Sequence, residues 1–63
     1  MMRNRVKDLR LARGWTQEHL ARKLLISRPY LSQIENGKRN IGITIMLRIA
    51  SLFNKSVEEV FLC

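Results

Sequence analysis

Apolar side chains recur along this chain three and four positions apart, with polar residues between them, and that spacing is the signature of amphipathic helices. In RVKDLRLAR, Val6, Leu9 and Ala12 share one helical face, with Asn4 as N-cap and Gly14 as stop. Thr16 caps a second helix, QEHLARKL, whose first turn carries Glu18 where the helix dipole favours an anion, and whose inner face is Leu20, Ala21 and Leu24. A third helix begins near Ser27 and stops at Asn36-Gly37. A fourth starts about Ile43 and sets Ile45, Met46, Ile49, Ala50 and Phe53 on one side. Ser56-Val-Glu-Glu59 is a capping box that opens a short fifth helix. The one strand-like alternation, at residues 41–45, reads as loop and helix start, so the pattern predicts an all-α fold of five short helices.

The third helix raises a question. Within SRPYLSQIENGKRN only Leu31 and Ile34 stand at core spacing, which leaves Arg28, Pro29, Ser32, Gln33 and Asn36 on or near the opposite side. Just two residues, Leu25 and Ile26, separate it from the second helix. A link that short makes a sharp helix-turn-helix corner and puts the third helix on the outside. From helix position alone its outer face reads equally well as solvated surface. Yet glutamine, arginine and serine are the side chains that reach adenine and guanine edges in the major groove, and a helix bearing them in its first half fits helix-turn-helix docking.

Charge points the same way. Among 63 residues, 12 Lys and Arg outweigh 5 Asp and Glu, for a net +7, which suits a polyanion such as nucleic acid. An apolar share of 46% argues against disorder. The length allows a single domain, residues 1–63, small enough that a partner subunit would help it hold together. One cysteine, Cys63, excludes an internal disulfide, and no Cys/His cluster suggests a metal. The five acids are scattered and the only histidine, His19, stands alone, so neither catalysis nor a cofactor is expected. No apolar run spans a membrane and no secretion signal opens the chain, which makes the cytoplasm the expected compartment.

At this point the chain resembles the Cro and phage-repressor type of helix-turn-helix domain, often called the xenobiotic-response-element family of bacterial regulators. The likeness runs through NRVKDLRLARGWTQEHLARKL, ISRPYLSQIENGKRN and LRIASLFNKSVEEVF, about residues 4–61, and WTQEHLA followed by ISR…LSQIENGKR is its specific part. The resemblance implies a lambda-repressor-like fold and a transcriptional regulator, most simply a repressor, bound as a homodimer to an inverted repeat in double-stranded DNA. It places Arg28, Pro29, Ser32 and Gln33 at base-reading positions. Gln17, Asn36, Lys38, Arg39 and Asn40 fall at DNA-backbone positions, and the Tyr30 hydroxyl is a further backbone candidate. Arg10 and Glu35 match a structural ion pair, and the homodimer is expected near the last helix, at Val57, Val60, Phe61 and Leu62, which exceed what one short helix can hide. It implies no small-molecule ligand.

Three residues depart from the family pattern. Leu25 stands where relatives place glycine in the turn, so the corner is expected to be strained or altered. Ile41 replaces a frequent proline after the phosphate loop and is expected to loosen it. Pro29 donates no hydrogen bond and restricts Arg28 before it. The main rival reading is an antitoxin-like interaction module whose DNA binding is secondary. A small nuclease would need clustered carboxylates or a histidine pair, which this sequence lacks.

Overall fold

The computed structural model of the chain describes residues 3–38 and 40–61. Its helices are α1 Val6–Ala12, α2 Gln17–Leu24, α3 Arg28–Glu35, α4 Ile43–Leu52 and α5 Val57–Phe61. No strand occurs among the described residues, and residues 41–45 divide into loop and the start of α4.

α2, α3 and α5 start where short side chains supply the missing acceptors, whereas α4 starts at Gly42 with no side-chain cap. Thr16 Oγ1 accepts from the His19 N–H at 3.0 Å, and Ser27 Oγ accepts from the Tyr30 N–H at 3.2 Å. Pro29 sits in the first turn of α3, where its absent N–H has no helical partner to lose. Ser56 and Glu59 bond reciprocally, 3.1 Å to the serine hydroxyl and 2.8 Å to the carboxylate, completing the capping box. α1 differs from expectation, because it begins at Val6 and Asn4 acts from outside it. The Asn4 Oδ1 accepts from the Val6 N–H at 3.0 Å while its Nδ2 donates to the Ile34 carbonyl at 2.8 Å. Arg5 N–H reaches the Val60 carbonyl at 2.9 Å, so the start of α1 is fastened to α3 and α5.

Four helices end by one device, a left-handed residue around which the next N–H folds back on a carbonyl five positions earlier. The bonds are Trp15 to Arg10, Ile26 to Ala21, Lys38 to Gln33 and Lys55 to Ala50, at 2.9–3.2 Å. The left-handed residues are Gly14, Leu25, Gly37 and Asn54. Leu25 therefore keeps the geometry that a glycine would adopt, with φ 58° and ψ 41°, and the helix-turn-helix corner is not rearranged. Its side chain is 81% exposed.

The core draws on all five helices. Val6, Leu20, Leu31, Ile34, Ile49 and Val60 are each fully buried, and Phe53 and Phe61 close around them. On α1 the inner positions are Val6 and Arg10, one turn apart, while Leu9 is half-buried and Ala12 exposed, a narrower face than the sequence spacing suggested. Trp15 packs on the core, with its ring centroid 5.7 Å from that of Phe53 and 5.2 Å from that of His19. The Arg13 guanidinium and the Lys23 ammonium lie 5.3 and 5.2 Å from the same indole.

The last helix corrects a sequence expectation. Val60 is 0% and Phe61 3% exposed within this chain's own core, so α5 does hide them once it packs against α4. Val57 is half-buried, and Leu62 lies outside the described residues. The apolar surface lies instead at Ile43 and Leu47 of α4, at Leu11, and at Leu25. Among the described residues no helix is long and apolar enough to cross a membrane.

Candidate nucleic-acid interface

A line of four side chains runs from the core to the tip of α3. Arg10 donates from Nε to Glu35 Oε2 at 2.7 Å and from Nη2 to Oε1 at 3.1 Å, and its Nη1 reaches the Trp15 carbonyl at 2.8 Å. Gln17 Nε2 donates to the same Glu35 Oε1 at 3.1 Å. Because an ionised carboxylate can only accept, this bond fixes which way the Gln17 amide points. Its Oε1 then faces outward and accepts from Arg28 Nη1 at 3.3 Å. The expected Arg10–Glu35 pair is thus present, and it is part of a longer connection. Gln17 is half-buried and already engaged at both ends of its amide.

On α3 the sequence-predicted division of faces holds. Leu31 and Ile34 point inward, whereas Arg28, Pro29 and Gln33 are exposed and Ser32 is half-buried. The Asn36 amide lies 3.5 Å from Ser32 Oγ, at the long limit of a hydrogen bond. Tyr30 is half-buried and packs on the core, with its backbone N–H held by Ser27. Ser27, Pro29, Tyr30 and Gln33 together line an open cleft of about 390 Å³ beside the helix.

The loop after α3 brings further polar groups to this side. Asn36, Lys38 and Asn40 are exposed, and Arg39 lies outside the described residues. Ile41 is half-buried and packs against the core, so it anchors the far end of the loop rather than sitting loose on the surface. Arg3 joins the group unannounced, since it lines a cleft of about 230 Å³ with Asn4, Glu35, Asn36 and Gly37. No periodicity marks it in the sequence; the Asn4–Ile34 bond is what brings it there.

Electrostatics favours an anion on this side. Between residues 27 and 57 the only acid is Glu35, and its side chain is 1% exposed and paired. The cations of α3 and its loop therefore meet no exposed carboxylate from their own stretch of chain. Among the described residues no cluster of three His, Cys, Asp or Glu could hold a metal.

Comparison with known proteins agrees with this geometry. A family model described as helix-turn-helix matches residues 6–60. An HTH-type transcriptional regulator of Archaeoglobus fulgidus is 36% identical over 61 residues, covering 97% of this chain and 87% of that protein. The competence pilus inhibition repressor of Acinetobacter baylyi is 39% identical over 57 residues, covering 90% of this chain and 52% of the repressor. Among solved structures, the restriction-modification controller protein C.AhdI from Aeromonas hydrophila superposes with a TM-score of 0.77 at 33% identity, over 87% of this chain and 83% of that one. A protein of known structure from Bacteroides fragilis shares the fold with a TM-score of 0.81 at 23% identity, over 97% and 98% of the two chains.

Proposed function

The chain belongs to the helix-turn-helix family of DNA-binding transcriptional regulators, and on that footing we propose that it is a repressor that binds an inverted-repeat operator as a homodimer. The observation that carries this reading is the exposed edge of α3, with Arg28, Pro29 and Gln33 outward and Leu31 and Ile34 locked in the core. In this reading Arg28, Ser32 and Gln33 face base edges, and each good contact is worth roughly 1–3 kcal/mol of discrimination. Gln17, Asn36, Lys38, Arg39 and Asn40 hold the phosphates on either side, with the Tyr30 hydroxyl as a further candidate. Repression is favoured by the likeness to the pilus repressor of A. baylyi.

The whole of residues 1–63 acts as one domain in the cytoplasm, with no enzymatic step and no small-molecule ligand. Since Val60 and Phe61 are spent on the core, the second copy docks on Val57 and the exposed Ile43 and Leu47. A two-fold dimer of this kind sets half-sites about 10 bp apart.

The test is footprinting of the purified chain on DNA upstream of its own gene, with random duplex as competitor across a salt series. Protection of an inverted repeat, at 10³-fold or more preference over random DNA, supports the reading. Equal, steeply salt-dependent binding to both sequences overturns it.

A further inference from the structure

We propose that the cleft between α2 and α4 is a docking site for a partner protein, which fills it with an acidic amphipathic helix. α2 packs chiefly on α3, and α4 on α5. Between them they leave a cleft of about 410 Å³, lined by Lys23, Leu24, Leu47, Arg48, Ser51 and Leu52. Leu24 is buried and Leu52 half-buried, which makes the floor apolar, and Leu47 stands 54% exposed beside them. Lys23 and Arg48, both exposed, bring one cation from each helix. Among the described residues no acid lines the cleft. None of the six belongs to α3 or its loop, and Leu47 alone is shared with the surface proposed for the second copy. The inference therefore goes beyond the DNA reading and does not depend on it.

An apolar groove bordered by cations matches a helix whose apolar face is bordered by Asp or Glu. A nucleic-acid backbone would use the two cations but would leave the three leucines without an apolar partner. A second copy of this chain is also a poor match, because of where its five acids stand. Glu35 is buried and paired, Glu18 lies 3.9 Å from Arg22, and Asp8 is the only acid of α1. Glu58 and Glu59 share α5, but that helix buries its apolar side, Val60 and Phe61, in its own core. None of the five helices thus offers an apolar face flanked by free carboxylates, so the occupant is a different protein.

Lys23 makes the docking observable. Its ammonium lies 5.2 Å from the ring centroid of Trp15, the one tryptophan of the chain. A partner carboxylate that draws Lys23 toward the cleft takes the cation off that ring and changes its emission.

The experiment begins with selection from a tryptophan-free, helix-biased peptide library against the full chain. A synthetic copy of the enriched peptide is then titrated at physiological salt. Two double variants remove the same charge from different faces: Lys23→Gln with Arg48→Gln in the cleft, and Arg28→Gln with Lys38→Gln on the α3 side. Thermal melts check that both fold. The enriched peptides are expected to set Asp or Glu beside Leu, and their binding to change Trp15 emission. The cleft variant should lose affinity on the order of tenfold, the worth of two exposed charge pairs, and the α3-side variant should change little. Failure of any peptide to enrich overturns the proposal, as do enriched peptides without acids or an equal loss in the two variants. A cleft variant that loses affinity for random duplex as steeply as the α3-side variant would assign the cations to phosphates. One that turns a wild-type dimer into a monomer would assign the cleft to a second copy, and either result overturns the proposal too.

Discussion

Arg10 and Glu35 form a two-pronged ion pair between α1 and α3, with their side chains 8% and 1% exposed. The third arm of the guanidinium is satisfied by the Trp15 carbonyl, so one arginine fixes α1, the turn into α2, and the end of α3. Removing either partner strands a charge inside the fold, at a cost of about 3–5 kcal/mol. A domain of this size loses roughly 4–8 °C of melting temperature per kcal/mol. Arg10→Met and Glu35→Leu should each leave the chain largely unfolded by circular dichroism at 37 °C. The double variant removes both charges and should recover a clear melting transition. Single variants that melt within a few degrees of wild type would contradict the pair's structural role.

Gln17 extends that pair to the surface, and its two bonds make separable predictions. Gln17→Leu leaves Glu35 still paired with Arg10, so stability should fall by only about 1 kcal/mol, the worth of an ordinary hydrogen bond. Arg28 loses the acceptor that holds its guanidinium. Under the proposed function, affinity should then fall on all DNA as the Gln17 phosphate contact is lost, and discrimination at the base pair read by Arg28 should fall in addition. Gln17→Glu places a second carboxylate against Glu35 and should destabilise more than leucine does. Thermal melts of both variants, paired with binding to the operator and to a version mutated at that base pair, check these outcomes. Uniform loss on all DNA would mean that Gln17 acts only as a phosphate contact.

Leu25 occupies the left-handed region at φ 58°, where its Cβ costs roughly 1–2 kcal/mol. Glycine removes that cost but surrenders about 0.5–1 kcal/mol of chain entropy. With the leucine side chain 81% exposed, little burial is lost. Leu25→Gly should therefore stabilise the domain by roughly 0.5–1 kcal/mol, a rise of a few degrees in melting temperature. Leu25→Ala keeps the Cβ and should bring no such gain. A drop in stability for the glycine variant would show that the exposed leucine makes a contact worth more than its strain.

These residues also show which features a sequence can reveal. Thr16, Ser27 and the Ser56–Glu59 box were legible because a cap bonds within three residues of itself, so its partner is always nearby in the chain. The outward side of α3 was legible because Leu31 and Ile34 leave its inner side in no doubt. Other features depend on where elements land. Asn4 bonds to the Ile34 carbonyl 30 residues away, and Gln17 to Glu35 18 away; neither separation has a local signature. Val60 and Phe61 looked surplus on a five-residue helix, and only the docking of α5 on α4 makes them core. Leu25 broke a local rule, and the fold kept the turn regardless, because the bonds from Leu25 and Ile26 back into α2 hold the corner.

The capping box of α5 contributes a pH dependence of its own. The Ser56 backbone N–H first, then the Ser56 side chain, with Lys55 and Arg5 nearby, hold the Glu59 carboxyl below its ordinary value of 4.5. A depressed folded value means that the stabilisation is fully present above about pH 4.5 and is lost as pH falls through the lower folded value. Glutamine at this position retains an acceptor for the Ser56 N–H but carries no charge. Wild type should therefore melt above Glu59→Gln at neutral pH, and the gap should close on acidification below pH 4.5. The effect reaches beyond a surface turn, since α5 carries Val60 and Phe61 into the core and its Val60 carbonyl accepts from Arg5. Fraying of α5 would loosen the start of α1 as well. Melting curves of both proteins across that pH range test the assignment, and a gap that stays constant into strong acid would rule it out.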